Sequence, residues 1–296
     1  TGSPTLTDSY TSDGSGMGFF TRNLTGPSPP TPYYVRAYAT NTYGTADGQE
    51  ELFATSDLNK MLNVKAFLEG PFENTGMVNT LSSWIPLNQP YQGAPWHYSG
   101  TESVATIPAD VTDWVLVELR DAPSPETALP STAIPGWPRA FFLKSDGQIT
   151  GLDGISLPDI GSPAISDNLY VIVRHRNHID VMSANALQLT GNIYIYNFTT
   201  ALSQAFGGGM GYKEIASGIF GMVAGDTDGD GATMTSDFNA WSLEFGSNGT
   251  YASPDNDLDG QVFTSDFNLW SQNFGTDNPV EGGSHQLMIY KCQVPK

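Results

Sequence analysis

Basic residues and cysteine are scarce in this chain. Its 296 residues include 12 Lys and Arg against 31 Asp and Glu, a formal net charge of −19. Nucleic acids and anionic membrane surfaces both select basic protein faces, so neither is an expected partner. The one cysteine, Cys292, cannot form an internal disulfide. We expect a buried, inert thiol there, with pairing to another chain as the alternative.

Long apolar runs are also missing, and no stretch approaches the length of a membrane span. Charged residues make up only 15 % of the chain, whereas Gly and Pro number 32 and 20. A composition poor in ion pairs and rich in turns favours a mainly β, secreted protein over a helical cytosolic enzyme. Because the chain starts with Thr1 and shows no signal peptide, we expect either a removed leader or a piece of a longer product.

Residues 1–56 predict a partial β module. The alternating run YYVRAYATN (33–41) predicts a strand, YGTADG (43–48) a turn and QEELFATS (49–56) the return strand. The stretch LTGPSPPTPYYVRAYATNTYG (24–44) resembles the second half of a fibronectin type III-like domain, which implies an Ig-like sandwich whose first strands are absent. Such a sheet has an open edge, so we expect it to lean on a neighbouring domain or accept strands from another chain, unless an upstream part has simply been cleaved.

Residues 57–220 predict an antiparallel β-sandwich, because short β-branched and aromatic runs alternate with Pro, Gly and Asn loops. One helix is expected, TTALSQAF (199–206). The order of these runs resembles an uncharacterised domain of secreted bacterial proteins that often follows fibronectin-like modules and precedes calcium repeats. That resemblance implies extracellular placement and no established chemistry. The strand candidates are LNVKAFLE (62–69), DWVLVELRD (113–121), AFFLKSDGQIT (140–150), NLYVIVRHR (168–176) and NIYIYNF (192–198).

Residues 221–275 contain two copies of an acidic pattern, DTDGDGATMTSD (226–237) and DNDLDGQVFTSD (255–266). Calcium loops of twelve residues supply oxygen ligands from positions 1, 3, 5, 7 and 12, with Gly at position 6 for a sharp turn. Every one of these positions is filled in both copies, so the spacing predicts two Ca²⁺ sites rather than a solvated acidic loop. The predicted ligands are Asp226, Asp228, Asp230, the Ala232 carbonyl and Asp237, then Asp255, Asp257, Asp259, the Gln261 carbonyl and Asp266.

Position 12 is Asp in both copies, and one helix is predicted after each loop, in SDFNAWSLEFG (236–246) and SDFNLWSQNFG (265–275). This arrangement resembles dockerin repeats, which implies a small α-helical domain and a cohesin-like partner recognised through loop positions 10 and 11. Those positions hold Thr235, Ser236, Thr264 and Ser265. Aromatic residues at helical spacing give each helix an apolar face, which we interpret as the core of this domain. Extracellular loops of this kind bind calcium with Kd of about 10⁻⁴ to 10⁻³ M, which suits structural calcium.

Catalytic motifs are not evident: the chain has no GxSxG, HExxH, phosphate-binding loop or CxxC. The run RHRNHID (174–180) would place His178 and Asp180 on one strand face and His175 on the other, and we interpret it as a strand end with solvated basic groups. WHYSG (96–100) with Trp84 predicts loop packing, a sugar-binding groove being the alternative. A catalytic pair of carboxylates is a further open alternative, because acids are plentiful and the sequence does not show the distances between them.

In the tail, 276–296, residues 287–290 predict a short strand.

The sequence therefore favours a non-catalytic, calcium-stabilised extracellular or bacterial cell-surface protein. Its β modules would associate edge to edge with copies of itself or with neighbouring surface proteins, as a filament or surface layer. One alternative is a dockerin-type adaptor that docks a secreted protein onto a cohesin-like scaffold. Another is a carbohydrate-binding or adhesin module.

Overall fold

The structure, a computed structural model, describes residues 4–22, 24, 27, 31–55 and 59–280. The predicted strand at 287–290 and Cys292 lie outside these residues. The chain divides into two compact units, with the boundary between Asn59 and Lys60. The residues assigned from the sequence to 57–220 and to 221–275 thus share one unit from Lys60 onward.

The first unit contains one β-hairpin among its described residues. Strand β1 (Pro32–Asn41) pairs antiparallel with β2 (Gly44–Ala54), from Pro32 opposite Ala54 to Asn41 opposite Gly44. The predicted strand at 33–41 is therefore confirmed. The predicted turn at 43–48 is wrong, because the chain reverses before Gly44 and residues 44–48 already belong to β2.

The second unit is mainly β, as predicted, and its described residues include two short α-helices after the last strand. Among the described residues no helix has the length and apolar character needed to span a bilayer. The elements in chain order are β3 (Lys60–Lys65), β4 (Phe72–Glu73), β5 (Gly76–Met77), β6 (Val111–Ala122), β7 (Arg139–Lys144), β8 (Ile149–Thr150), β9 (Asp159–Gly161), β10 (Asn168–His175), β11 (His178–Met182), β12 (Gln188–Thr190), β13 (Ile193–Asn197), β14 (Tyr212–Ala216), β15 (Ile219–Met222), α1 (Thr235–Glu244) and α2 (Thr264–Asn273).

Two larger sheets carry the core of this unit. One has the strand order β11–β10–β6–β7–β8 and is antiparallel throughout, and the other has the order β12–β13–β3–β9. In the second sheet β13 and β3 run parallel, with Ile193 opposite Met61. The expected sandwich is therefore not purely antiparallel. A parallel pair needs a long crossover, and here the intervening chain includes the whole first sheet.

Side chains from both sheets form one buried core. The central strand β6 is buried along both faces, since ten consecutive residues from Val111 to Arg120 are classed as buried. The buried stretch is not purely apolar, because it also contains Thr112, Asp113, Glu118 and Arg120. Core members include Leu62 and Val64 of β3, Val115 and Val117 of β6, Phe142 of β7, Val171 of β10 and Tyr196 of β13.

The helix predicted at 199–206 is wrong. The chain forms two separate 3-10 turns instead, Phe198–Thr200 and Leu202–Gln204, with Ala201 extended between them. The Asn197 side chain accepts hydrogen bonds from both the backbone N–H and the hydroxyl of Thr199 at 3.0 and 2.8 Å. Such local side-chain bonding competes with α-helix formation.

Candidate metal centre

The first acidic loop gathers three carboxylates around a buried aspartate. Asp226, Asp228 and Asp237 each offer one oxygen, and these oxygens lie within 4.8 Å of one another. Asp226 is 1 % exposed, and its Oδ2 accepts the Gly231 N–H at 3.0 Å. Its Oδ1 is buried and has no hydrogen-bond partner among the residues that the structure describes. The loop therefore contains an unsatisfied acceptor beside two further acidic groups.

The second loop gathers a slightly different set. Asp255, Asp257 and Asp259 each offer an oxygen within 4.8 Å of the others, while Asp266 lies outside this group. Asp255 is fully buried and accepts from the N–H groups of Asp259 and Gly260 at 3.1 and 3.0 Å. Both loops thus centre on a buried aspartate at position 1.

Positions 5 and 7 form local turns in both loops. Asp230 lies outside the first carboxylate group, and its Oδ1 accepts the Ala232 N–H at 3.0 Å. Asp259 accepts the Gln261 N–H in the same way at 2.8 Å. Each loop turns at the glycine of position 6, Gly231 with φ of +89° and Gly260 with φ of +84°. Ala232 and Gln261, whose carbonyls are the predicted ligands, follow directly after this turn.

Each position 12 aspartate closes its loop and starts the following helix. Asp237 Oδ1 accepts from the N–H groups of Thr227 and Asp228 at 2.7 and 3.1 Å, and its Oδ2 accepts from Met234 at 2.7 Å. This last bond satisfies a donor at the N-terminus of α1. Asp266 repeats the pattern before α2 with the N–H groups of Asn256, Asp257 and Phe263.

The crowding of carboxylates shifts the pKa values of several acids in the two loops. Burial, together with the neighbouring charges of Asp180 and Asp237, raises the pKa of Asp226 well above its ordinary value. Burial also raises the pKa of Asp237 and of Asp266 to about 6, and that of Asp255 to about 8. Carboxylates are thus held together, out of water, with their charge insufficiently compensated.

A hairpin turn of the β domain holds both loops. The Asn177 carbonyl, between β10 and β11, accepts the Gly225 N–H at 3.0 Å, next to the first loop. The Asn177 side chain donates to the backbone oxygens of Ser253 and Asp255 at 2.9 and 2.6 Å, at the start of the second loop. One buried residue therefore connects the two acidic loops through hydrogen bonds.

The second loop is also anchored in the hydrophobic core. Leu258, at position 4, is 1 % exposed and belongs to the core cluster of the two sheets, although its φ is +57°. The corresponding residue of the first loop is Gly229, with φ of +71°. Close by, a β-carbon added to Gly70 would lie 1.8 Å from the backbone oxygen of Asn256. Only glycine allows this approach.

A buried charged network lies beneath the second loop. Asp113 on β6 is fully buried and accepts from Arg176 Nε at 2.9 Å, from the Tyr251 hydroxyl at 2.6 Å and from His175 Nε2 at 3.2 Å. Arg176 also donates to the backbone oxygen of Ala252 and lies over the Tyr251 ring, 4.2 Å from its centroid. The network joins the central strand to the segment between the two repeats.

The expectation of solvated basic groups at 174–180 is therefore wrong for its central residues. A turn separates β10 from β11, so His175 and His178 lie opposite each other, with 3.1 Å between their Nδ1 atoms. His178 Nε2 accepts the Gly70 N–H at 3.2 Å, and burial lowers the pKa of both imidazoles. Both imidazoles are buried, and His178 contacts Gly70, which packs against the backbone of the second loop. The sequence signal for a buried polar network is the concentration of His, Arg and Asn at the end of a predicted strand, in RHRNH (174–178).

The two tryptophans considered for sugar binding lie against the acidic loops. A β-carbon added to Gly229 would lie 2.7 Å from the Trp96 ring, and one added to Gly260 would lie 2.7 Å from the Trp84 ring. Each ring thus packs on a glycine of one loop, in agreement with loop packing. An open cavity of about 410 Å³ remains beside Trp96, Tyr98 and Trp137, and Trp137 is only 9 % exposed.

The helices that follow the loops are present and pack ring against ring. Phe238 of α1 lies 5.3 Å from Trp270 of α2, measured between ring centroids. Trp241 donates its indole N–H to the Phe263 carbonyl at 2.9 Å, and Trp270 donates to the Met234 carbonyl at 2.8 Å. Each repeat thus satisfies a tryptophan of the other. No aromatic side chain of either helix is buried, so the rings form a partly exposed cluster, and the interpretation of these aromatics as a core is wrong.

No family model matches the chain, and no curated protein matches it. Among solved structures, one similar chain is from the crystal structure of a complex described as an N-terminal interface mutant of a type II cohesin–X–dockerin complex from Acetivibrio cellulolyticus. The match has 16 % sequence identity and a TM-score of 0.31, and covers 55 % of this chain and 83 % of that one.

Proposed function

We propose that this chain is a non-catalytic, calcium-stabilised structural protein of the extracellular space, in which each acidic loop holds one Ca²⁺. The observation that carries the proposal is the Asp226 carboxylate. Its Oδ1 is buried beside two other carboxylates and finds no hydrogen-bond partner in the described part of the chain. A buried unsatisfied acceptor costs about 1–3 kcal/mol, and more when it is charged. A bound divalent cation would remove this cost.

The donor set suits calcium. All the groups at positions 1, 3, 5, 7 and 12 are hard oxygens, which Ca²⁺ prefers, and neither loop offers a thiolate or imidazole for a softer metal. The two loops share the hydrogen bonds from position 6 to position 1 and from position 7 to position 5, which supports two similar sites. A Kd of about 10⁻⁴ to 10⁻³ M, typical of extracellular modules, would keep such sites filled outside a cell.

Calcium bound in this way would stabilise the whole second unit. Asn177 and Leu258 connect the loops to the sheets, so opening a loop disturbs the β core as well. A ligand that binds only the folded state adds about 2.7 kcal/mol per site at a free concentration 100 times its Kd. The cation is therefore proposed as a structural part, not as a signal.

The test is calcium titration of the full chain by calorimetry, together with thermal unfolding. We expect two ions per chain and a rise in Tm with calcium concentration. Asp226→Asn should remove the first site and Asp255→Asn the second, while Asp167→Asn, an exposed acid outside both loops, should change neither. No binding at millimolar calcium, or equal effects of all three variants, would overturn the proposal.

The structural role that we propose includes association with copies of the chain or with neighbouring surface proteins. The β1–β2 ribbon supports this, because no other described strand pairs with either of its edges. Its apolar side chains are exposed as well, Tyr43 to 97 % and Leu52 to 60 %. Open edges are sites of strand addition. Electron microscopy with calcium and with a chelator tests it, and dispersed monomers in both conditions would refute self-association.

A dockerin-type adaptor is the second candidate. It is favoured by the exposure of Thr235, Ser236, Thr264 and Ser265 at the start of the two helices, in matching positions. Exposed phenylalanines near the helix ends, Phe245 at 52 % and Phe274 at 54 %, extend this surface. Pull-down with a panel of cohesin domains in calcium tests the adaptor role. Failure to retain the chain on every domain would remove it.

A further inference from the structure

Three side chains outside both acidic loops form a compact hydrogen-bonded cluster. Lys213 of β14 places its Nζ 2.9 Å from Oδ1 of Asn273, the last residue of α2. Glu69 bridges the two: its Oε1 lies 2.5 Å from Lys213 Nζ, and its Oε2 accepts from Asn273 Nδ2 at 2.7 Å. An amine, a carboxamide and a carboxylate thus touch one another pairwise.

The surrounding structure holds these groups in place. The Ala224 N–H donates to Glu69 Oε2 at 3.0 Å, and Asn273 Nδ2 donates to the Ala224 carbonyl at 2.9 Å. Asn273 is 4 % exposed, and the Glu69 side chain is 10 % exposed. The Lys213 side chain is 34 % exposed, which leaves a path for a small leaving group.

The amide is specific to the second repeat. Asn273 corresponds to Glu244 of the first repeat, counted from the shared TSDF motif, and Glu244 is exposed. This position lies outside the twelve-residue acidic pattern, so the repeat does not require a carboxamide at residue 273. Lys213 and Glu69 come from distant parts of the β domain, 60 and 204 residues away in sequence.

We propose that Lys213 and Asn273 become joined by an isopeptide bond, with Glu69 as the catalytic proton carrier. Amines and carboxamides react slowly in water, but holding the two reacting groups side by side, with Nζ 2.9 Å from the amide oxygen, converts the reaction into a unimolecular one. The carboxylate has one oxygen on the nucleophile and the other on the leaving nitrogen. That is the placement needed to move protons between them.

The step balances without an oxidant or added reactant. Glu69 takes a proton from the Lys213 ammonium, and the free amine pair attacks Cγ of Asn273, so a C–N bond forms and the C=O pair moves to Oδ1. Glu69 then gives its proton to Nδ2, the carbonyl re-forms, and the Cγ–Nδ2 bond breaks to release ammonia. The proton left on Nζ passes through Glu69 to ammonia, which departs as ammonium.

The bond would enclose both calcium loops in a covalent ring. All ten predicted ligand positions, from 226 to 266, lie between residues 213 and 273. The ring would fasten the end of α2 to β14, so the repeat pair could not separate from the sheets even when its loops open. This does not depend on calcium being the bound metal.

Intact mass spectrometry of the full, reduced chain tests the proposal. We expect a mass lower than the sequence mass by one ammonia molecule, and a branched proteolytic peptide that joins Lys213 to Asn273. The full sequence mass without a branched peptide, after prolonged incubation of folded protein, would overturn it. This measurement needs no variant and so does not depend on a mutant folding.

Three variants locate the chemistry. Lys213→Arg keeps the positive charge but should show the full sequence mass, and retention of the loss would overturn the assignment. Glu69→Gln should leave most of the chain unlinked. Asn273→Asp should still form the bond, losing water in place of ammonia and giving the same product mass. An unlinked Asn273→Asp chain with a native circular dichroism spectrum would contradict attack at that carbon.

Discussion

Replacing Leu258 by alanine should destabilise the second unit by about 2–5 kcal/mol, the usual cost of a buried Leu→Ala change. Leu258 is 1 % exposed and packs in the core of the two sheets, although it belongs to an acidic loop. Its left-handed backbone, with φ of +57°, costs about 1–2 kcal/mol. Burial of the side chain offsets this by about 1.5–3 kcal/mol.

Alanine keeps the backbone strain and loses most of the burial. The second loop should then be held less firmly against the sheets, so its calcium affinity should fall, while the first loop, with Gly229 at this position, should be affected less. Urea unfolding at saturating calcium measures the stability, and calorimetric titration measures the two affinities. The slope of the unfolding free energy against urea concentration should not change if the folded state of the variant is as compact as that of the unsubstituted chain.

Leu243→Ala is the matched control, because Leu243 on α1 is 87 % exposed. An exposed substitution of this kind should stay within about 0.5 kcal/mol of the unsubstituted chain. If Leu258→Ala costs no more than Leu243→Ala, the leucine does not anchor the loop. If stability falls but calcium binding at the second loop is unchanged, the leucine is only a core residue and the coupling argument is refuted.

Three further outcomes are expected. Asn177→Ala removes hydrogen bonds at the start of the second loop, so that site's affinity should fall more than the first's in calorimetry, at a stability cost of about 1–3 kcal/mol. Because burial raises the pKa of Asp255 in the folded state to about 8, its neutral form stabilises the calcium-free protein at low pH, and this stability is lost as the pH rises. The gain in Tm on adding calcium should therefore be larger at about pH 8 than at about pH 5.5. An equal gain at the two pH values would contradict the pKa argument. Gly70→Ala should force the backbone near Asn256 apart and lower the Tm, whereas Gly93→Ala, with no atom within 4 Å of the added carbon, should leave it unchanged.

What the sequence predicts well is local. The acid spacing and the aromatic period after each loop predict α1 and α2 near their observed bounds, because a loop–helix repeat is specified within about a dozen residues. Strand candidates such as 113–121 are also confirmed, since β-branched and aromatic runs are strong signals. The calcium in the loops stays a prediction.

What the sequence does not reveal depends on distant partners. Leu258 reads as an irregular loop position, yet its side chain enters a core made of residues 62–222. The run at 174–180 reads as solvated because its partners, Asp113 and Tyr251, are far away in the chain. The parallel β3–β13 pair and the contact of Lys213 with Asn273 are likewise set by tertiary packing rather than by local pattern.

The core that the sheets share with the second acidic loop limits how this part of the chain can be transferred between genes during evolution. The repeat pair cannot fold as an independent domain in the same form, because Leu258 packs among the strands of the sheets. Separating the chain near residue 221 would leave a cavity in the β core and an exposed leucine on the repeat pair. Shuffling of modules between genes should therefore transfer everything from Lys60 to the second helix as a single piece, and cut sites tolerated by the fold should cluster near Asn59.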